Sequence, residues 1–325
     1  MELIPPETTP VTDIIMAAHN AARTIDSAIQ SVLDQEDPSW RLWVIDDGST
    51  DATALHVTRY THDPRIHLIS QPGQGAAAAR NRGLDSPPAL GDYVAFLDSD
   101  DIWHPEFLVQ MKRALQSDSA AGLAWCEMEC FEGATGRYRG DRPPIEGSAA
   151  ETLPRIFSDV TFLGSGVLCR GEFFRDGLRY PERYRTMEDV HVWSAIAAQS
   201  KILHVRETWV DYRIGATSLS NAAGSWLRNL ADNVESYREL YRRYPTWIPR
   251  ELYRERMWRA HHFAAEDRMR SGHTGGLCSL RALFYRPGRA ATWKNLALGV
   301  RAKLREGVEE RSANPRSSDR VTSGD

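Results

Sequence analysis

The chain has 325 residues, 42% hydrophobic and 26% charged, and a formal net charge of −4. That composition fits one large or two modest soluble domains and excludes the disordered, collagen-like and disulfide-rich classes. No run approaches the roughly 18 apolar residues a membrane span needs, and residues 1–6 lack the basic-then-apolar form of a signal peptide, so a cytoplasmic location is expected.

In chain order, Asp13-Ile14-Ile15-Met16-Ala17-Ala18 reads as a buried strand. Ile25, Ala28, Ile29, Val32 and Leu33 then recur at helical spacing, with Thr24 placed to cap their helix. Leu42-Trp43-Val44-Ile45 predicts a second strand, ending at Asp46-Asp47-Gly48-Ser49-Thr50-Asp51. A helix over 52–60 and a strand over 66–70 follow, then the turn Gln71-Pro72-Gly73-Gln74-Gly75 and a short helix over 76–84. Tyr93-Val94-Ala95-Phe96-Leu97 predicts another strand, ending at Asp98-Ser99-Asp100-Asp101. Pro105 stands in the first turn of the next helix, where proline is tolerated. Such alternation means a mostly parallel sheet covered on both faces.

Beyond residue 119 the pattern loosens. Residues 133–147, rich in Gly, Pro and Arg, read as a surface loop, and 160–169 and 201–206 as strands. Val190, Trp193, Ile196 and Ala197 mark a helix that begins at Glu188-Asp189. After Trp226 the texture is helical, with stripes at Leu230, Val234, Tyr237 and Tyr241, over 252–263 and over 296–304, and residues 310–325 have the composition of a disordered tail. Cys126, Cys130, Cys169 and Cys278 read as buried thiols, because one Cys-x-x-x-Cys pair without a partner pair is no zinc signature.

The acidic clusters carry the chemistry. Ligands of open α/β sheets bind beyond the carboxyl ends of the strands, so Asp46 and Asp47 converge with Asp98, Asp100 and Asp101 on one crevice. Carboxylates gathered this way repel one another unless a cation or hydrogen-bond donors offset them. Hard oxygen ligands suit Mg²⁺ or Mn²⁺, whose shell substrate phosphates complete. An Asx turn or helix cap explains any single Asp at a strand end equally well. Two clusters at equivalent strand ends favour a metal–diphosphate site.

Four segments taken in order, Ile14-Ile15-Met16-Ala17-Ala18-His19-Asn20, Asp46-Asp47-Gly48-Ser49-Thr50-Asp51, Ala79-Arg80-Asn81-Arg82-Gly83 and Phe96-Leu97-Asp98-Ser99-Asp100-Asp101, resemble family 2 glycosyltransferases. The resemblance is strong over about residues 11–115 and weaker over 160–215. It implies a GT-A fold, a Rossmann-like α/β sandwich, here with a helical C-terminal extension. It also implies inverting transfer of a sugar from a nucleoside-diphosphate sugar, a UDP-sugar first among them, assisted by Mn²⁺ or Mg²⁺. The acceptor class it implies is a saccharide or lipid-linked saccharide of bacterial surface polysaccharide or glycoconjugate synthesis.

The residue roles follow by position. Asp47 matches the carboxylate that accepts the base N–H, with Asp46 beside it, and Ala17, His19 and Asn20 line the nucleotide. Ala17 and His19 stand where the family usually has Pro and Tyr. Asp98-Ser99-Asp100 matches the DXD element, Asp98 toward the ribose and Asp100, with Asp98, toward the metal. Arg80 matches the arginine near the nucleotide, and Arg213 lies where a diphosphate-facing segment is common, with Ser218 and Ser220 downstream. Glu188-Asp189 resembles the family's Glu-Asp pair, making Asp189 the catalytic base and Glu188 its neighbour, although acids also favour a first helical turn for electrostatic reasons alone. His191 reaches the site only from a kinked helix start, and Trp103 reads as a core aromatic. A non-catalytic nucleotide-sugar-binding protein on the same fold is the alternative. A nucleotidylyltransferase would need a Gly-rich basic loop where Ala17-Ala18-His19-Asn20 stands.

The resemblance divides the chain into a transferase domain over 1–225 (a nucleotide-sugar half over about 11–115 and an acceptor half over about 116–225), a helical extension over 226–309 and a tail over 310–325. Charge divides along the same line. Residues 1–225 hold 20 Lys/Arg and 32 Asp/Glu, and residues 226–325 hold 20 and 12. The basic region reads as a solvated helical face or, through 293–305, as a peripheral contact with an anionic membrane at the inner face of the cell. No recognised nucleic-acid motif accompanies the charge.

Overall fold

The computed structural model describes residues 10–131, 136–137, 144–158, 164–214, 227, 229–271, 273 and 276–298. Strands β1 (Thr12–Ala18), β2 (Trp40–Asp47), β3 (Ile66–Gln71), β4 (Tyr93–Phe96), β5 (Ile102–Trp103), β6 (Ala121–Phe131), β7 (Gly136–Arg137), β8 (Val167–Arg170) and β9 (Lys201–Arg213) form, among the described residues, one sheet. Its order is β3-β2-β1-β4-β8-β6-β9-β5, with β7 paired to β6. The first four strands in the chain pair in parallel, with β1 between β2 and β4. Strand β8 runs antiparallel to both β4 and β6, and β9 is parallel to β6 and antiparallel to β5. The sheet is therefore mixed, and its parallel half lies where the strand–helix alternation predicts.

Helices α1 (Ile25–Leu33), α2 (Thr53–Thr58), α3 (Ala76–Leu84) and α4 (Phe107–Ser117) connect the first strands. In α1 the residues at helical spacing, Ile25, Ala28, Ile29 and Val32, are the fully buried ones, joining Ile14, Met16, Leu42 and Val44 in the core. Each of the larger of these side chains (Ile, Val, Leu and Met) contributes roughly 1.5–3 kcal/mol when fully buried. Thr24 precedes α1 without capping it, because its hydroxyl donates to the Ala21 carbonyl instead. Gly83 lets α3 lie flat on the sheet, since a Cβ there would come within 2.4 Å of the Ile15 side chain.

Helices α5 (Ala149–Ser158), α6 (Glu172–Arg175), α7 (Glu188–Ala197), α8 (Leu230–Arg243), α9 (Arg250–Arg270) and α10 (Gly276–Tyr285) complete the set, and residues 290–298 are also helical. Three elements differ from expectation. The eleven-residue β6 was not expected as a strand: Ala-Gly-Leu-Ala-Trp-Cys-Glu-Met-Glu-Cys-Phe has no β-branched residue and no clean alternation, yet nine of its residues are buried. The strand expected over 160–169 is confined to Val167–Arg170, behind a short 3₁₀ turn at Gly164–Gly166, and 159–163 lie outside the described residues. The strand expected over 201–206 continues to Arg213.

The chain divides into two compact units, one of residues 1–218 and 235–252, the other of 219–234 and 253–325. The first holds the sheet. The second has its own small core, in which Ala264, Ala265 and Cys278 pack with Leu227 and Leu230. All four cysteines are buried free thiols. Most of the loop expected over 133–147, together with Ser218, Ser220, Trp226 and 310–325, lies outside the described residues.

Candidate active site

The carboxyl ends of β1 and β2 are latched to each other by side chains. Asn20 holds a left-handed backbone (φ 52°), which Asn tolerates better than other non-glycine residues, and its Oδ1 accepts from the Thr50 amide at 2.8 Å. Its own amide donates to Ser49 Oγ, and the amides of Ala21 and Ala22 donate to Thr53 Oγ1 and Asp51. His19 Nδ1 donates to the Asp47 carbonyl at 2.8 Å while its Nε2 accepts from Asn20 Nδ2 at 3.1 Å, so these two bonds select the Nδ1–H tautomer. Ala17 sits half-buried one residue before the end of β1.

Asp46 and Asp47 have separate tasks. Asp46 accepts from the Ser49 amide, closing the tight turn after β2. Asp47 accepts from Gln71 Nε2 (2.8 Å), the Gln74 amide (2.8 Å) and the Gly75 amide (2.7 Å), fastening the loop in front of α3. Gly48, at φ 70°, lets that loop approach, since a Cβ would fall 2.6 Å from the Gly73 nitrogen. Asp47→Ala is expected to destabilise the protein by about 1–3 kcal/mol, because three donors lose their acceptor together. Thermal unfolding checks this, and an unchanged midpoint would show that water replaces the carboxylate.

The loop after β4 is held from below. Asp101, fully buried, accepts from Ser165 Oγ at 2.5 Å and from the Arg213 amide at 3.0 Å. The Asp98 amide donates to the same Ser165 hydroxyl, and Trp103 Nε1 donates to the Ser165 carbonyl. Asp101 is thus a structural anchor that leaves Asp98, Ser99 and Asp100 displayed at the turn. Arg213 lies beside them at the end of β9, its Nε donating to the Asp100 carbonyl at 2.9 Å and its guanidinium over the Phe131 ring. Burial and the neighbouring Asp98 charge push the Asp100 carboxyl up to about 6.

Arg80 joins this loop to a distant segment. From α3 its Nη2 donates to Asp98 at 2.9 Å and its Nη1 to Glu188 at 3.0 Å, with the Tyr180 ring beneath the guanidinium. Burial opposes its charge, but Asp98, Tyr180 and Glu188 outweigh burial and raise its pKa. The next residue, Asn81, clamps the same segment, donating to the Tyr180 carbonyl and Glu182 and accepting from the Tyr180 amide. The clamped segment leads through Met187, in a left-handed conformation (φ 72°) worth about 1–3 kcal/mol of strain for a non-glycine residue, into α7. There Asp189 is half-buried, and its carboxylate accepts from the Val190 amide at 2.8 Å. Burial, then the adjacent Glu188 charge, raises its carboxyl to about 7 against the ordinary 3.8, despite Arg80.

His191 lies elsewhere. On the regular helix α7 it is buried, stacked on Tyr184 and bonded to Ser236 Oγ at 2.9 Å, and burial lowers its pKa to about 4. Trp103 is a core residue stacked on Phe107. His261 and His262 stack on different rings, those of Tyr285 and Trp258. Ser165 and Asn81 organise the site without having been assigned a role from sequence. Asn81 stands inside a quoted motif, whereas Ser165 carries no sequence signal.

The profile described as Glycosyl transferase family 2 matches residues 13–175. The chain belongs to this family. Over 91 residues it is 47% identical to UDP-Glc:alpha-D-GlcNAc-diphosphoundecaprenol beta-1,3-glucosyltransferase WfgD of Escherichia coli, covering 28% of this chain and 35% of WfgD. Of three curated relatives, the matches span 30–44% of the relatives' own length. Among solved structures, residues 1–349 of S. aureus TarS in complex with UDP-GlcNAc align at TM-score 0.58 and 16% identity, covering 91% of this chain and 92% of that one. The mannosyltransferase PcManGT of Pyrobaculum calidifontis in complex with GDP-Man and Mn²⁺ aligns at TM-score 0.60 and 18% identity, covering 95% and 84%. The family member described here has the GT-A fold with a helical C-terminal portion.

Proposed function

We propose that this chain transfers a glycosyl group from a nucleoside-diphosphate sugar to an acceptor hydroxyl, with inversion at the anomeric carbon. The observation that carries the reading is Arg80, whose one guanidinium pairs with Asp98 at 2.9 Å and with Glu188 at 3.0 Å. This double pair supports a single site in which the displayed Asp98–Asp100 turn meets the Glu188-Asp189 pair. A UDP-sugar is the proposed donor, as WfgD's name gives for that relative. The proposed acceptor is a saccharide, lipid-linked as in that name, in bacterial surface-polysaccharide synthesis. The nucleotide lies over 11–115, with Ala17, His19 and Asn20 along one side and the remaining acceptor capacity of Asp47 toward the base. The acceptor half is proposed over about 116–225 and the helical extension over 226–309.

Asp100 and Asp98 fit a divalent cation. Both carboxylates are displayed at one turn, and the Asp100 carboxyl is raised first by burial and then by the Asp98 charge, so a cation there would relieve the repulsion between the two. Among the described residues no group of three His, Cys, Asp or Glu side chains forms a closed metal site. One or two carboxylates plus diphosphate oxygens is the ordinary way Mg²⁺ is held at such sites. Mn²⁺ or Mg²⁺ bound there would offset the charge that grows on the leaving diphosphate.

The chain's own residues do the rest. Asp189, ionised, takes the acceptor's hydroxyl proton as that oxygen bonds to the anomeric carbon. The bond from that carbon to the diphosphate oxygen breaks with its electron pair on the diphosphate, through an oxocarbenium-like state. Burial first, and then the charge of Glu188 beside it, raise the Asp189 carboxyl and so make it basic enough to accept the proton, while Arg80 holds Glu188 in place. Arg213 stands at the Asp100 turn as the proposed diphosphate contact.

Thermal denaturation with a panel of nucleoside diphosphates, with and without Mn²⁺, tests the reading. UDP with Mn²⁺ is expected to stabilise by about 2.7 kcal/mol at a hundredfold excess over Kd. Asp100→Asn is expected to remove the metal dependence. A protein that responds to no nucleoside diphosphate would overturn the proposal.

A further inference from the structure

We propose that the face of α10 bearing Leu277, Leu280 and Phe284, together with Trp293 after it, docks on an anionic membrane surface. Helix α10 is amphipathic with its large side chains outward. Leu277, Leu280 and Phe284 are 65%, 54% and 78% exposed, whereas the small side chains Cys278, Ser279 and Ala282 face the interior. Positions 277, 280, 281 and 284 fall within one arc of about 100° on an α-helix, so the three apolar residues and the exposed Arg281 share a face. Trp293 and Leu298, in the following helical stretch, are 54% and 45% exposed. Five of the six exposed large hydrophobic side chains among the described residues thus fall between 277 and 298.

Charge selects the occupant. Residues 268–305 contain nine Lys and Arg and not one Asp or Glu, in a chain whose net charge is −4. Arg270 pairs with Glu266 and Asp267, and Arg286 and Arg289 pair with Glu255, whereas Arg281 and Lys294 are exposed beside the apolar side chains. Large apolar groups with such cations and a tryptophan among them match the boundary between acidic lipid headgroups and acyl chains. A second copy of this chain would set the same positively charged patch against itself across a two-fold contact. A nucleic acid would meet the cations but leave Leu277, Leu280 and Phe284 in water. No helix of the described residues is long and apolar enough to cross a membrane, so the contact proposed is peripheral. It deepens the lipid-linked acceptor reading, yet its test is independent of glycosyl transfer.

The test is co-sedimentation of the full chain with vesicles of phosphatidylcholine alone and of equal parts phosphatidylcholine and phosphatidylglycerol. Binding to the mixed vesicles is expected to exceed binding to the neutral ones by roughly tenfold or more and to weaken as salt is added. Leu277→Ser/Leu280→Ser/Phe284→Ser should lower that binding by at least about tenfold, with the unfolding midpoint and the response to UDP and Mn²⁺ unchanged. Arg281→Glu, which leaves the apolar face intact, should weaken binding to the mixed vesicles alone. Wild-type protein left in the supernatant with mixed vesicles, or undiminished binding by the triple variant, would overturn the proposal. So would a wild-type oligomer that the triple variant dissolves while neither protein binds vesicles.

Discussion

Asp189→Asn is expected to reduce glycosyl transfer by about 10²–10⁴-fold, the range over which a positioned general base contributes, while leaving affinity for nucleoside diphosphate within about twofold. The variant keeps the shape and the hydrogen bond to the Val190 amide and removes only the ability to take a proton. Asp189 must be ionised to act, and burial with Glu188 beside it places its carboxyl at about 7. Transfer should therefore rise with pH through about 7 in the free enzyme. The stability effect has the opposite sense. A carboxyl whose folded pKa stands above its unfolded value stabilises the fold while protonated and loses that contribution as pH rises from about 4 through about 7. At pH 8 the Asn variant should consequently unfold at a higher temperature than the wild type, and the difference should vanish toward pH 4. A variant that is less active and more stable at once is the signature of a charge held in place for chemistry. Equal turnover of the two proteins would remove Asp189 from the mechanism.

Arg80→Met is expected to cost both activity and stability. Methionine fills much of the volume, but Asp98 and Glu188 each lose a charge-assisted hydrogen bond and the Tyr180 ring loses its cation. Breaking a buried ion pair by removing one partner costs 3–5 kcal/mol, and Asp98 is about a third exposed, so about 2–4 kcal/mol is expected here. Turnover should fall by roughly a hundredfold because the two halves of the site lose the group that sets them together. Arg80→Lys separates charge from geometry. An ammonium preserves the charge but cannot fork toward two carboxylates at once, so only partial rescue of kcat is expected. Full rescue by lysine would reduce Arg80 to a source of positive charge. Thermal denaturation and steady-state rates on the three proteins measure both effects.

The parallel half of the sheet was legible because its physics is local. Strands such as Ile14–Ala18 are short apolar runs with abrupt polar ends, and the chain alternation forces those ends to one edge. The acidic clusters after β2 and β4 accordingly follow the carboxyl ends of two parallel strands that flank β1. Their division of labour was not legible. Nothing in Asp46-Asp47 tells which carboxylate closes its own turn and which binds a loop more than twenty residues away. The same holds for Asp101, whose burial against Ser165 depends on a 3₁₀ turn 64 residues downstream. Strand β6 escaped because burial on both faces removes the alternation by which a strand is usually read. Helix α10 falls in the stretch read as helical, but its outward apolar face was not legible, because spacing alone gives no sense of which side the core takes.

The configuration of the product tests the central claim most directly, since one displacement assisted by one base must invert the anomeric carbon. With an α-linked UDP-sugar as donor, the account predicts a β-linked product, read from the anomeric proton coupling in its NMR spectrum. An α-linked product would contradict it, requiring a second displacement and a nucleophile in place of the Asp189 base.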